Sequence, residues 1–219
     1  MATMPNLKSH ALLRVPALLF AVLTIAYVIA NKSAPRPGDS GREVLANTLE
    51  HDTTIKVGAF LLFDSAVVLA ILAAVAYHWL RENASTAPRG AVVLTGGTLA
   101  AGALLLSAVF CWAGGRLTPA ASPDLARALA DAAFLTGGPA YAVMFAVFVA
   151  GLVVSARDLL PAALNWTGGI ITVLGAISTL TLVADGFAYL LPVVRFGGLL
   201  WLLVTVFAVR VDSSARIGN

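Results

Sequence analysis

The chain has 219 residues, of which 59% are hydrophobic and 11% are charged, whereas a soluble domain carries about 25% charged residues. This composition argues against an ordinary soluble protein and predicts a chain embedded in a lipid bilayer. The net charge of +3 comes from basic residues that are scattered singly, so nucleic acid is not expected as a partner.

Six apolar runs follow one another along the chain, and they predict transmembrane helices. The predicted helices cover residues 12–30, 57–80, 91–112, 132–155, 162–189 and 194–209. The first run, with Lys8 and Arg14 at its start and small residues after it, also resembles a signal peptide, but its length favours a retained helix. The sixth run is short for a full crossing, so its helix either lies in a thin region of the bilayer or starts earlier, and the fifth helix is open to fraying near Asp185 and Gly186. The sequence therefore predicts an all-α fold, a polytopic membrane helix bundle of six transmembrane helices that forms one domain over residues 1–219.

Two loops on the expected outer side carry the pattern of short amphipathic helices. Ser40 and Glu43 have the spacing of a capping box, and apolar residues after them fall on one helix face. Ser122 suits the N-cap of a second helix and Pro123 its first position. We expect both helices to lie near the membrane surface, where they would cap the bundle, bind a partner or satisfy the loop backbone.

The tripeptide TGG occurs at residues 95–97, 136–138 and 167–169. The first and third copies open the third and fifth predicted helices, which would fit a duplicated helical hairpin of the kind found in transporters. The alternative, which we favour, is that small residues recur wherever membrane helices pack closely.

Ionisable side chains within the apolar runs are the candidates for function, because burying a charge in a bilayer is costly. Asp64 lies roughly 10 Å below the outer end of the second predicted helix, and Arg195 is its best expected partner. Arg116 and Lys56 are alternative partners for Asp64, and two further carboxylates, Asp131 and Asp185, are expected at a similar level.

Two interpretations of this group remain open. In the first, Asp64, Asp131, Asp185 and Arg195 surround one outer vestibule and form a ligand-binding site for a cation, a proton or a small polar molecule. In the second, an ion pair or hydrogen bond from Asp64 only fixes the second helix against the last two.

Patterns for catalysis and metal binding are weak or missing. The motifs G-x-S-x-G, H-E-x-x-H and G-x-x-x-x-G-K-[ST] do not occur. The single cysteine, Cys111, excludes an intrachain disulfide and is expected to behave as a buried small hydrophobe. The three histidines, His10, His51 and His78, fall on separate segments and cannot converge on a haem. His51 beside Glu50 and Asp52 leaves a weak metal site open. We expect no cofactor and no catalytic residue.

The segments VSARDLLPAALNWTGGIITVLGAISTL and FGGLLWLLVTVFAVR, within residues 150–210, resemble a family of uncharacterised bacterial multi-pass membrane proteins frequent in actinobacteria. This resemblance implies a bacterial inner (plasma) membrane and transfers no functional residue. Lys and Arg divide evenly between the two sides, but acidic residues collect in the outer loops, so both termini are expected in the cytoplasm.

The expected function is therefore that of a non-enzymatic membrane protein, surrounded by the lipid bilayer, that binds a membrane protein partner or serves as an accessory subunit. The alternative is a small transporter or channel that uses the vestibule around Asp64.

Overall fold

The computed structural model describes residues 7–32, 35, 38–83 and 87–209, with side chains for residues 12–32, 35, 38–83, 90–184 and 186–209. The side chains of Lys8 and His10 therefore lie outside the described part. All regular structure within these residues is helical, so the predicted all-α membrane bundle is confirmed.

Nine α-helices make up the described chain. They are α1 (Leu7–Ala30), α2 (Gly41–Glu50), α3 (Asp52–Asn83), α4 (Ala87–Gly114), α5 (Pro123–Leu135), α6 (Tyr141–Ser155), α7 (Ala162–Ile177), α8 (Leu190–Pro192) and α9 (Gly198–Ala208). Within the described residues, six stretches are long and apolar enough to cross a membrane, and they are Leu12–Ala30, Asp52–Asn83, Gly90–Gly114, Pro123–Ser155, Ala162–Leu182 and Gly186–Ala208. We call the end of the bundle where α1 ends and α3 begins the α2 end.

The two predicted short helices are present at the α2 end. The Ser40 amide donates to Glu43 Oε2 at 2.7 Å, while the Glu43 amide donates to Ser40 Oγ at 3.4 Å, which completes the capping box. The Ser40 bonds hold the pKa of the Glu43 carboxyl below its usual value, because they favour its charged form. Arg127 on α5 donates to the carbonyl of Asp39, just before α2. The two short helices are therefore tied to each other across the end of the bundle.

The second transmembrane helix begins earlier than predicted, at Asp52 instead of residue 57. The Asp52 carboxylate accepts a hydrogen bond from the Thr53 amide at 2.6 Å and pairs with Lys56 at 2.8 Å. This polar first turn extends the helix beyond the apolar run, so hydropathy alone placed the start too late.

The boundary between the last two predicted helices was also wrong. The predicted helix over 162–189 stops as an α-helix at Ile177, continues as a 3₁₀-helix over Ser178–Leu182, and breaks at Ala184, whose backbone is extended. The Ser178 hydroxyl donates to a carbonyl three residues back at 2.7 Å, a local bond that competes with the α-helical ladder. The sixth span consequently begins at Gly186, not at residue 194, and Arg195 lies well inside it.

Close helix contacts in the middle of the bundle depend on glycine. A Cβ atom at Gly96 of α4 would lie 2.5 Å from the backbone nitrogen of Phe148 on α6, and one at Gly151 would lie 2.8 Å from the Val93 nitrogen. Gly168 of α7 is similarly close to Trp201. Glycines from two TGG copies thus lie in close helix contacts, Gly96 against a backbone and Gly168 against side chains, as the packing interpretation predicts.

Candidate functional site

A cavity of about 450 Å³ lies at the α2 end of the bundle. Helices α2 and α5 form part of its wall, together with the ends of α1 and α4, the start of α3 and the first half of the sixth span. This volume lies within the range of about 300–1,000 Å³ that is usual for small-molecule sites.

The lining is mainly apolar with a few basic groups. Its larger apolar side chains include Val44, Ile55, Phe110, Leu129, Phe134 and Leu191. Arg195 and Lys32 are the charged residues of the lining, and His51 adds a titratable ring. No Asp or Glu side chain within the described ranges belongs to the lining. The cavity is therefore positively charged.

Arg195 is the central polar group of the cavity. It follows Gly186, the first residue of the sixth span, by nine residues, which corresponds to about 14 Å along a helix. Its guanidinium donates a hydrogen bond to the Gly137 carbonyl. The guanidinium carbon lies 5.0 Å from the ring centre of Tyr141 and 5.9 Å from that of Tyr27, within cation–π range.

The Gly137 carbonyl lies in a break of the fourth span. Residues Thr136–Ala140 form a π-helical turn between α5 and α6 that contains Pro139, which has no amide hydrogen to donate. Hydroxyl groups donate to carbonyls of the preceding turn. Thr136 Oγ1 donates to the Ala132 carbonyl at 2.6 Å, and Ser107 Oγ donates to the Ala133 carbonyl at 2.8 Å. Such side-chain bonds are how membrane helices tolerate a proline break.

Two tyrosines enclose the arginine. Tyr27 and Tyr141 are 8% and 2% exposed, so the guanidinium of Arg195 packs against two buried rings. Asn31 donates from Nδ2 to the Tyr27 hydroxyl at 3.1 Å, which fixes one of the two rings. Arg195 forms no ion pair with any acidic residue whose side chain is described. Since a guanidinium has five N–H donors, it retains donors that could hold a carboxylate or a phosphate.

Of the four predicted ligand-binding residues, Arg195 is the one that the structure brings to the cavity among those with described side chains. Asp131 instead accepts from Arg127 at 2.9 Å on α5. Asp185 begins the 3₁₀-helix Asp185–Tyr189, and its side chain is outside the described part.

Asp64 lies away from the cavity. It is half-buried on a stripe of α3 where Phe60, Val67 and Ile71 are 63%, 43% and 52% exposed. It forms no hydrogen bond or ion pair with any residue that the structure describes, so the expected pair with Arg195 is not formed. The reason is that α3 packs mainly against α1 and α4, while Arg195 bonds to the broken fourth span.

The two alternative partners proposed for Asp64 are engaged elsewhere. Lys56 pairs with Asp52 at 2.8 Å, and the Arg116 guanidinium lies 5.5 Å from the ring centre of Trp112. Cys111, expected as a buried hydrophobe, is half-buried and belongs to the cavity lining.

The sequence carried a partial signal for the residues that sequence reasoning missed. The run TGGP interrupts an apolar stretch and marks the break at Gly137. Nothing comparable marks Tyr27 or Tyr141, which look like other aromatic residues in apolar runs.

A metal centre finds little support in the described part of the chain, where no group of three or more His, Cys, Asp or Glu side chains lies together.

The chain matches no protein-family model, no curated protein and no solved structure. The geometry of the cavity is therefore the basis for any functional conclusion.

Proposed function

We propose that this chain is a non-enzymatic integral membrane protein that binds a small, largely apolar anion in the cavity at its α2 end. One observation carries the proposal: Arg195 is a permanent cation in an apolar cavity, without an acidic partner among the described side chains.

Energetics support an anionic ligand. An arginine near the middle of a membrane helix costs about 2.5–3.5 kcal/mol on insertion scales. The bond to Gly137 and the two tyrosine rings offset part of that cost. A carboxylate or phosphate that accepts the remaining N–H donors in a bidentate pair would supply the missing counter-charge.

Binding is proposed in preference to catalysis because the described lining supplies no carboxylate, and its histidine, His51, uses Nδ1 in a hydrogen bond with the Asn47 carbonyl. Asp64 and Asp131 do not belong to the lining. A cation-binding vestibule around Asp64 therefore has less support than an anion site.

The proposed location is the inner membrane of a bacterium, with both termini in the cytoplasm. The short connections and the scarcity of acidic residues at the end opposite α2 support this orientation, and the resemblance of residues 150–210 supports the organism class. The cavity would then face the outside of the cell membrane.

A series of twelve-carbon amphiphiles that differ in headgroup charge tests the proposal. The protein would be purified in neutral dodecyl maltoside, and its thermal unfolding followed with added dodecanoate, dodecyl phosphate or dodecyltrimethylammonium. The two anions should raise the unfolding temperature in a saturable way, because a ligand that binds only the folded state stabilises it. Equal effects of the cationic amphiphile would contradict the proposal.

A second candidate function is that of a partner-binding or accessory subunit, and the position of Asp64 favours it. A carboxylate on a stripe of exposed apolar side chains gains a partner if a helix of another membrane protein brings a Lys or Arg to the same depth. Quantitative co-purification from native membranes would compare wild type with Asp64→Asn. A protein with such a basic residue that is lost from the variant supports this role, and identical recovery from both contradicts it.

A further inference from the structure

We infer that the anion is the headgroup of a membrane lipid that enters the cavity sideways from the bilayer. This inference rests on the proposed function, and it names the source of the anion. It follows from the two exposed edges of the cavity, at Lys32 and Thr54 on one side and at Pro192 and Phe196 on the other.

The second edge lies at the depth of the acyl chains. Pro192 and Phe196 follow the start of the sixth span at Gly186 by six and ten residues, which places them about 9 and 15 Å along the helix. Phe196 is 42% exposed and also lines the cavity. The cavity therefore reaches the lipid-facing surface of the bundle between these residues. A site for a water-soluble anion needs no such opening.

The first edge lies near the membrane surface. Lys32 follows the end of the first span at Ala30 by two residues and is exposed. Arg195 lines the same cavity, but it lies deeper in the membrane than Lys32 because it is inside the sixth span. Two cations at different depths fit a phosphate group that is drawn inward from the headgroup layer.

The volume agrees with partial entry of a lipid. About 450 Å³ accommodates a headgroup with part of one chain, in a lining that is mainly apolar. The rest of the molecule would extend through the edge at Pro192 and Phe196 and remain in the bilayer.

The test uses vesicles of equal parts phosphatidylcholine and phosphatidylglycerol. The full chain is reconstituted, extracted with dodecyl maltoside, and the lipids that remain bound are counted by native mass spectrometry. Wild type should retain phosphatidylglycerol in clear preference to phosphatidylcholine. Arg195→Met should reduce that retention at least about tenfold, the effect of losing about 1.5 kcal/mol of charged hydrogen bonding.

A second pair of variants examines the sideways opening without touching the arginine. Phe196→Ala removes an apolar contact of the emerging chain and should lower phosphatidylglycerol retention severalfold. Phe60→Ala removes an even more exposed phenylalanine, 63% against 42% for Phe196, that is outside the lining, and it should leave retention unchanged. Equal retention in both variants would overturn the opening at Phe196.

Soluble anions separate failure of this inference from failure of the proposed function. Glycerol 3-phosphate and inorganic phosphate at millimolar concentration should not shift the thermal unfolding of wild type. A shift as large as that from phosphatidylglycerol would make the ligand a water-soluble anion, which overturns lipid entry and leaves the anion site standing. No selective binding of any anion, lipid or soluble, would overturn both.

Discussion

Replacement of Arg195 by methionine should separate ligand binding from folding. The variant keeps a long, flexible side chain but removes the cation and the hydrogen bond to Gly137. Hydrogen bonds to charged groups contribute about 1.5–3 kcal/mol, so the Kd for dodecyl phosphate should rise about 10- to 150-fold.

The free energy of unfolding of the unliganded variant should change much less. The Gly137 carbonyl loses its guanidinium donor, which costs about 1–3 kcal/mol if no other donor replaces it. Removing a cation from the membrane interior returns about 2.5–3.5 kcal/mol on insertion scales. The two changes largely cancel, and the unliganded variant should unfold within about 5 °C of wild type.

Equilibrium binding of radiolabelled dodecyl phosphate in dodecyl maltoside, paired with thermal unfolding, measures both quantities. Arg195→Lys keeps the charge but loses the planar pair of donors, so its Kd should fall between those of wild type and Arg195→Met. Arg116→Met is the matched control, because Arg116 is exposed, carries the same charge and is outside the lining. Arg195 is not the anion-binding group if Arg195→Met binds dodecyl phosphate as tightly as wild type, or if Arg116→Met loses as much affinity.

Three further predictions concern the rest of the bundle. Gly96→Ala should lower the unfolding temperature, since its new methyl group meets a neighbouring backbone at 2.5 Å, whereas Gly102→Ala, with open space around it, should not; equal unfolding temperatures would contradict the packing. Asp64→Asn should leave dodecyl phosphate binding unchanged because Asp64 is outside the lining, and an altered Kd would show otherwise. Ser40→Ala should lower the stability of α2 by about 1 kcal/mol, measured by hydrogen exchange of its backbone amides. In wild type, the lowered pKa of Glu43 means that α2 is protected from exchange above the usual glutamate range and loses that protection as the pH falls below it.

The fold was largely predictable because hydropathy and capping act locally. The capping box at Ser40 and the N-cap at Ser122 were legible from spacing alone, and both helices exist. The end of α7 was not predictable from the sequence. A hydroxyl group such as that of Ser178 can bond to the backbone within a continuing helix or at the point where the helix ends, and the sequence does not decide between the two.

The site was less predictable because it depends on the rotation and depth of each helix. An error of eight residues in the start of the sixth span moved Arg195 from the expected membrane surface to the inside of the span. The direction of Asp64 followed from which stripe of α3 packs against α1 and α4, and single-sequence periodicity is weak in a helix that is apolar on every side. Tyr27 and Tyr141 meet Arg195 through contacts between distant spans, which no local pattern records.

An experimentally determined structure with bound dodecyl phosphate would show whether Arg195 holds an anion inside this cavity. Phosphate oxygens are expected about 2.7–2.9 Å from the guanidinium nitrogens of Arg195, with the alkyl chain leaving the cavity beside Phe196. A phosphate held only at the membrane surface, with the cavity free of the probe, would contradict anion binding by Arg195.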